Sequence, residues 1–127
     1  MAKKVLIIDD DIEYVEAFVN LLDAKGYHVV SAHNGQDGVA LAKVEGPDII
    51  LLDVMMTTTS EGFDVARELH DDTKLKEIPV IMITGVRKEM NLPFGFEPDS
   101  DWLPVKAFLE KPVKPELLLK TLEENLG

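Results

Sequence analysis

The sequence predicts a doubly wound α/β domain, a five-stranded parallel sheet with helices on both faces. Three observations carry that expectation. The run Pro47-Asp48-Ile49-Ile50-Leu51-Leu52-Asp53 is aliphatic up to its final acid, and a strand apolar on both faces belongs in the middle of a parallel sheet covered on each side. A second such run, Lys4-Val5-Leu6-Ile7-Ile8, leads into Asp9-Asp10-Asp11. Strand-like and helix-like segments alternate along the chain, which implies right-handed crossovers. In open sheets of this kind ligands bind in the crevice beyond the carboxyl ends of the strands. Two buried strands that deliver carboxylates to one rim therefore mark the candidate site.

After the first strand, Ile12, Val15, Val19 and Leu22 recur at helical spacing, with Phe18 and Leu21 widening the stripe, and Gly26 stops the helix. Tyr27 to Ala32 makes the second strand. Asn34-Gly35 then turns into a weaker helix carrying Val39, Leu41, Ala42 and Val44 as far as Gly46-Pro47. The strand ending at Asp53 follows. Phe63, Ala66 and Leu69 line one face of a third helix, and Pro79 to Thr84 is a fourth strand that ends on a hydroxyl. Val105 to Glu110 is the fifth strand, closed by Lys111-Pro112. A last helix opens with Pro115 in its first turn and carries Leu118, Leu122 and Leu126.

One segment breaks the alternation. Where a fourth helix is due, the stretch from Gly85 to Pro104 contains Pro93, Pro98 and Pro104 with Gly85 and Gly95, which rules out a long helix. Only Val86 to Leu92 suits a couple of turns, so the fourth helix is expected to be short or irregular.

At 127 residues and 46% hydrophobic composition, the chain suits a single domain over residues 1–127 with a proper core. Thirteen Lys and Arg against 24 Asp and Glu give a formal charge of −11. That charge repels phosphate backbones and anionic lipid, and argues for partners that are proteins, metal ions or cationic patches, with no nucleic acid and no membrane. The absence of cysteine removes disulfides and thiolate metal sites and suits a reducing compartment. Met1-Ala2-Lys3-Lys4 leads directly into a strand, an apolar run too short for a signal peptide or membrane helix. A cytoplasmic location is expected.

Four of the five strands end on groups suited to a phosphoryl unit: Asp9-Asp10, Asp53, Thr84 and Lys111. A carboxylate can act as nucleophile and accept a phosphoryl group as an acyl phosphate. Such attack brings anion against anion. A hard divalent cation held by Asp9, Asp10 and Asp53 would offset the repulsion, and Mg²⁺ suits an all-oxygen site that keeps waters. Lys111 and Thr84 would bind the phosphoryl oxygens by charge and by hydrogen bond. Asp11 is best explained as the cap of the first helix. His28, His33 and His70 lack the spacing of a metal site, Trp102 with Phe94 and Phe96 suits local packing, and Thr57-Thr58-Thr59-Ser60 suits a solvated loop.

With those residues in place, the chain resembles the receiver domain of two-component response regulators, the chemotaxis-regulator-like family. The resemblance runs over essentially the whole chain. It rests on Val5 to Asp11, Pro47 to Met56, Pro79 to Gly85 and Phe108 to Pro112. It implies a flavodoxin-like sheet of order 2-1-3-4-5, Asp53 as phosphoacceptor, Asp10 as direct Mg²⁺ ligand, Asp9 acting through water, and the Met55 carbonyl as a further ligand. It also implies that Thr84 and Lys111 sense and hold the phosphoryl group, that Gly85 leaves the site open above, and that Phe108 changes rotamer on phosphorylation. The implied partners are a sensor histidine kinase or phosphotransfer protein as donor and a downstream protein as target, for a monomer or a phosphorylation-dependent dimer. Such a protein is a phosphoacceptor rather than a conventional enzyme. The chain ends at Gly127 just after the last helix, so a stand-alone receiver is expected.

Two features depart from the family pattern. After Met56 the sequence reads Thr57-Thr58-Thr59-Ser60-Glu61-Gly62, without the usual proline and one residue longer, and the fourth-helix region is broken by prolines. Two other functions compete. Asp9-Asp10-Asp11 contains the Asp-x-Asp of haloacid-dehalogenase-type phosphatases, although Glu13 stands where that motif wants Thr or Val. A degenerate receiver that works without phosphorylation is the other.

Overall fold

The structure, a computed structural model, describes residues 3–53, 61–84, 107–110 and 113–126. Their elements run β1 (Lys4–Ile8), α1 (Ile12–Ala24), β2 (His28–Ala32), α2 (Gly35–Glu45), β3 (Ile49–Asp53), α3 (Glu61–Asp71), β4 (Val80–Thr84), β5 (Ala107–Glu110) and α4 (Pro115–Leu126). The strands form one parallel sheet in the order β2-β1-β3-β4-β5, as expected. The segment Val86 to Leu92, the start of the predicted fifth strand at Val105-Lys106, the aromatic residues Phe94, Phe96 and Trp102, and Thr57 to Ser60 lie outside the described residues.

The central strands are apolar throughout because both of their faces are covered. Leu6, Ile8, Ile50, Leu52, Val80 and Met82 point to one side and pack with Val39 and Ala42 of α2 and with Val65, Ala66 and Leu69 of α3. The alternate residues Val5, Ile7, Ile49, Leu51, Ile81 and Ile83 point to the other side, against Val15, Phe18 and Leu22 of α1 and Leu118 and Leu122 of α4. Period-two alternation along each strand thus feeds two separate cores. Two sequence expectations fail at the helix ends. Ile12 in the first turn of α1 is 59% exposed and Val44 in the last turn of α2 is 79% exposed: Ile12 lies at the margin of the buried stripe of Val15, Phe18 and Leu22, and Val44, two residues beyond Ala42, lies on the face opposite the stripe of Gly35, Gly38, Val39 and Ala42.

Local chemistry explains the ends of α1. The Asp11 carboxylate accepts from the Tyr14 N–H at 3.2 Å, the helix cap anticipated for it. At the other end Gly26 has φ +90, its N–H donates to Asp23 O, and Tyr27 N–H reaches back to Leu22 O. This pair of bonds closes the helix in a Schellman motif whose left-handed position favours glycine. β2 therefore starts at His28, one residue later than predicted, since Tyr27 belongs to the helix stop. Between α3 and β4, Asp72 organises a tight turn: its Oδ1 accepts from Lys74 N and Leu75 N, and Leu75 is delivered to the core.

Tyr27 lies partly buried against the α1 and α4 side. Burial, and secondarily the Glu123 carboxylate, push its hydroxyl above the ordinary value of 10.0. The folded state thus favours the neutral phenol. Its contribution is intact below the unfolded pKa and is lost as pH rises through the raised one. Denaturant titrations between about pH 9 and 12 are expected to show an alkaline loss of stability that Tyr27→Phe reduces. An unchanged slope in that variant would rule the group out.

Candidate functional site

The site is built at the carboxyl edge of the sheet by register. Ile8 of β1 is paired with Leu52 of β3, so Asp9 and Asp53 follow at the same level of adjacent strands. Asp53 is paired with Ile83 of β4, and Thr84 comes next on that strand. Thr84 in turn is paired with Glu110, the last residue of β5. Three of the four strand ends predicted to carry the chemistry are thereby lined up on neighbouring strands. Lys111 follows Glu110 in the chain but lies, like Gly85 and Met55, outside the described residues; Thr84 and Phe108 are placed by their strands, their side chains outside the described part.

Asp9, Asp10 and Asp53 each offer a carboxylate oxygen, and these oxygens all lie within 4.8 Å of one another. Asp9 and Asp53 are 2% and 3% exposed, whereas Asp10 faces solvent. Like charges at such a separation repel by on the order of 3 kcal/mol per pair at an effective dielectric of about 20, and by less where the exposed Asp10 is screened. A fold that gathers them this closely suits a cation. Opposite ligands of an octahedral Mg²⁺ at about 2.1 Å are some 4.2 Å apart, and adjacent ones are closer. The donor set is hard oxygen, two of its members are held in buried positions, and the third reaches solvent where water can complete the shell, so the residues fit such an ion.

Backbone contacts hold Asp9. Its N–H donates to Ala32 O at 3.1 Å, which ties it to the end of β2. Its Oδ1 accepts from Asp11 N–H at 2.9 Å. His33 Nδ1 lies 3.3 Å from the Asp9 carbonyl, a contact that a single histidine with no motif around it did not advertise. His28 and His70 are exposed, on β2 and α3.

Two further features were not legible beforehand. A Cβ on Gly38 of α2 would lie 2.8 Å from Cγ1 and 2.9 Å from Cγ2 of Ile8, so α2 presses its backbone against the residue that precedes Asp9. Tyr14 of α1 stacks edge-on against Phe18, with centroids 4.9 Å apart. Its hydroxyl accepts from Val113 N–H at 2.8 Å across 99 residues of sequence. No sequence period signals either contact, since both join elements distant in the chain.

Comparison with known proteins agrees with this geometry. The family model for the response regulator receiver domain matches residues 5–123. Protein PilH of Pseudomonas aeruginosa is 36% identical over 124 residues, covering 98% of this chain and 98% of that protein. Among solved structures, the chemotaxis response regulator CheY4 of Vibrio cholerae superposes with a TM-score of 0.80 at 27% identity, over 98% of this chain and 99% of that one. The receiver domain of sensor histidine kinase PA1611 of Pseudomonas aeruginosa, solved with a magnesium ion coordinated in its active-site cleft, has the same fold with a TM-score of 0.82 at 22% identity, over 100% of this chain and 99% of that one.

Proposed function

Since the chain belongs to the response regulator receiver family, the phosphoacceptor signalling domains of two-component systems, we propose that Asp53 is its phosphoacceptor and that Asp9, Asp10 and Asp53 bind Mg²⁺. The observation that carries this reading is the convergence of the three carboxylates within 4.8 Å at the carboxyl edge of the sheet. Bound there, Mg²⁺ would supply positive charge against the phosphoryl oxygens and the carboxylates together. Asp53 ends a fully buried strand, so its carboxylate is held in a fixed direction at the rim. One of its oxygens forms the bond to phosphorus as the bond to the donor's leaving group breaks, and that group departs with the electron pair. The match of residues 5–123 to the receiver family favours this reading over that of a phosphatase.

Thr84 and Lys111 would bind the phosphoryl oxygens, and Gly85 would keep the approach open. Met55 would add its carbonyl to the metal, and Phe108 would answer the inward movement of Thr84. The donor would be the phosphohistidine of a sensor kinase or phosphotransfer protein. The output would be contact with a protein target or onward transfer of the phosphate. A net charge of −11 supports protein partners over nucleic acid. No described helix is long and apolar enough to cross a membrane.

Intact mass after incubation with acetyl phosphate tests the proposal. An alkali-labile phosphoryl adduct is expected in the presence of Mg²⁺ and not in the presence of a chelator. Absence of any adduct with Mg²⁺ would sink the reading and leave a receiver that works without phosphorylation.

A further inference from the structure

Asp9 and Asp10 are consecutive in the chain, and one planar peptide unit joins them. Rotation of that plane changes the direction in which the Asp10 side chain leaves the backbone relative to Asp9. The carbonyl of this unit, Asp9 O, meets His33 Nδ1 at 3.3 Å. A carbonyl oxygen only accepts, so Nδ1 carries the hydrogen. On the other side of the same residue, Asp9 N–H donates to Ala32 O at 3.1 Å. Ala32 is the last residue of β2 and His33 the next, so two successive residues at the exit of β2 hold both backbone polar groups of Asp9. The two bonds differ in origin. Any residue at position 32 could supply a carbonyl, whereas the bond to Asp9 O depends on which side chain stands at position 33.

We infer that His33 is a positioning residue for the metal site: by holding the Asp9 carbonyl it fixes the peptide plane between the two acids, and so the direction of the Asp10 carboxylate relative to Asp9 and Asp53. The inference rests on the proposed Mg²⁺ site. Asp9 and Asp53 are held by burial, but Asp10 is exposed, so its direction depends most on the backbone that carries it. Mg²⁺ demands near-ideal octahedral geometry, which makes a misdirected ligand costly. Groups that orient ligands by bonding to them directly are worth about 10- to 100-fold in metal affinity. His33 is exposed and acts through the backbone, so its effect is smaller.

Two variants of the full chain test this, with Mg²⁺ affinity read by titration calorimetry. His33→Leu removes the donor, and affinity is expected to fall roughly three- to tenfold. His33→Asn places an amide N–H at a similar distance along the side chain, and affinity is expected to return to within about twofold of the native value. Both replacements are uncharged, so the difference between them isolates the hydrogen bond from the charge of the imidazole. The metal-free urea midpoint should be the same in both variants, since position 33 is exposed. The Asp10 N–H belongs to the same peptide unit, and its proton shift should move in His33→Leu and return in His33→Asn. Native affinity in His33→Leu, or equal losses in the two variants, would overturn the inference while leaving the metal site in place. If the native chain itself binds no Mg²⁺, the metal site fails and the inference falls with it.

Discussion

Asp53→Asn is expected to abolish the phosphoryl adduct outright, because the amide retains the shape of the side chain but has no anionic oxygen to attack phosphorus. The same change removes one of three charges gathered within 4.8 Å. A unit charge a few ångströms from a divalent cation is worth more than the ~1.4 kcal/mol that a factor of ten requires, so Mg²⁺ affinity should fall about tenfold or more. The rise of melting temperature with added Mg²⁺, which follows from preferential binding to the folded state, should shrink accordingly. In the absence of metal the sign reverses. Asp53 is 3% exposed beside the buried Asp9, and relief of their repulsion should make the metal-free variant more stable by about 1 to 3 kcal/mol. Intact mass, calorimetric titration and metal-free denaturation check the three parts separately. An adduct that persists in Asp53→Asn and disappears in Asp9→Asn would transfer the acceptor role to β1.

Gly38→Ala is expected to destabilise the protein although it places the best helix former inside a helix. On an exposed face the change would gain about 1 kcal/mol. Here the new Cβ meets Cγ1 and Cγ2 of Ile8 at 2.8 and 2.9 Å, and Ile8 is fully buried. These carbons branch directly from the Ile8 Cβ, and a β-branched side chain has few rotamers into which to retreat. Overpacking of this kind typically costs 1–3 kcal/mol, about enough to outweigh the propensity gain. The expected result is a lower urea midpoint with an unchanged slope. Combined with Ile8→Ala, which makes room, the loss should be smaller than the sum of the two single losses, by roughly 0.5 to 3 kcal/mol. A Gly38→Ala protein as stable as the native one would show that α2 can move away from β1 at little cost.

That contact also links packing to chemistry. Ile8 is the residue before Asp9, and the Asp9 backbone is bonded to the end of β2 through Ala32. Any outward shift of β1 forced by α2 is passed to a carboxylate of the site. Gly38→Ala should therefore weaken Mg²⁺ binding as well as stability, a result that a purely local helix defect would not produce.

Most of the architecture was legible in the residues. Uninterrupted aliphatic strands can only be stable with both faces covered, and Ile49 to Leu52, whose alternate side chains enter opposite cores, show that this rule holds here. The acids at Asp9, Asp10 and Asp53 were legible because their positions follow from where strands end, and strand ends are punctuated in sequence. Exposure of Ile12 and Val44 was not, since the small residues Gly35, Gly38 and Ala42 that form the inward stripe of α2 do not stand out in sequence beside larger apolar residues such as Val44, and Ile12 only borders the stripe of α1.

The sequence by itself determined the element order, the parallel sheet and the acidic rim, all of which follow from local periodicity and from charge placed at element boundaries. Only the tertiary structure decided the approach of Gly38 to Ile8, the seat of His33 against the Asp9 carbonyl and the bond from Val113 to the Tyr14 hydroxyl. Each joins residues far apart in the chain, and no short-range pattern encodes such contacts. They arise when helices settle at distances set by side-chain volume, and their strength depends on tenths of an ångström that composition and spacing do not specify.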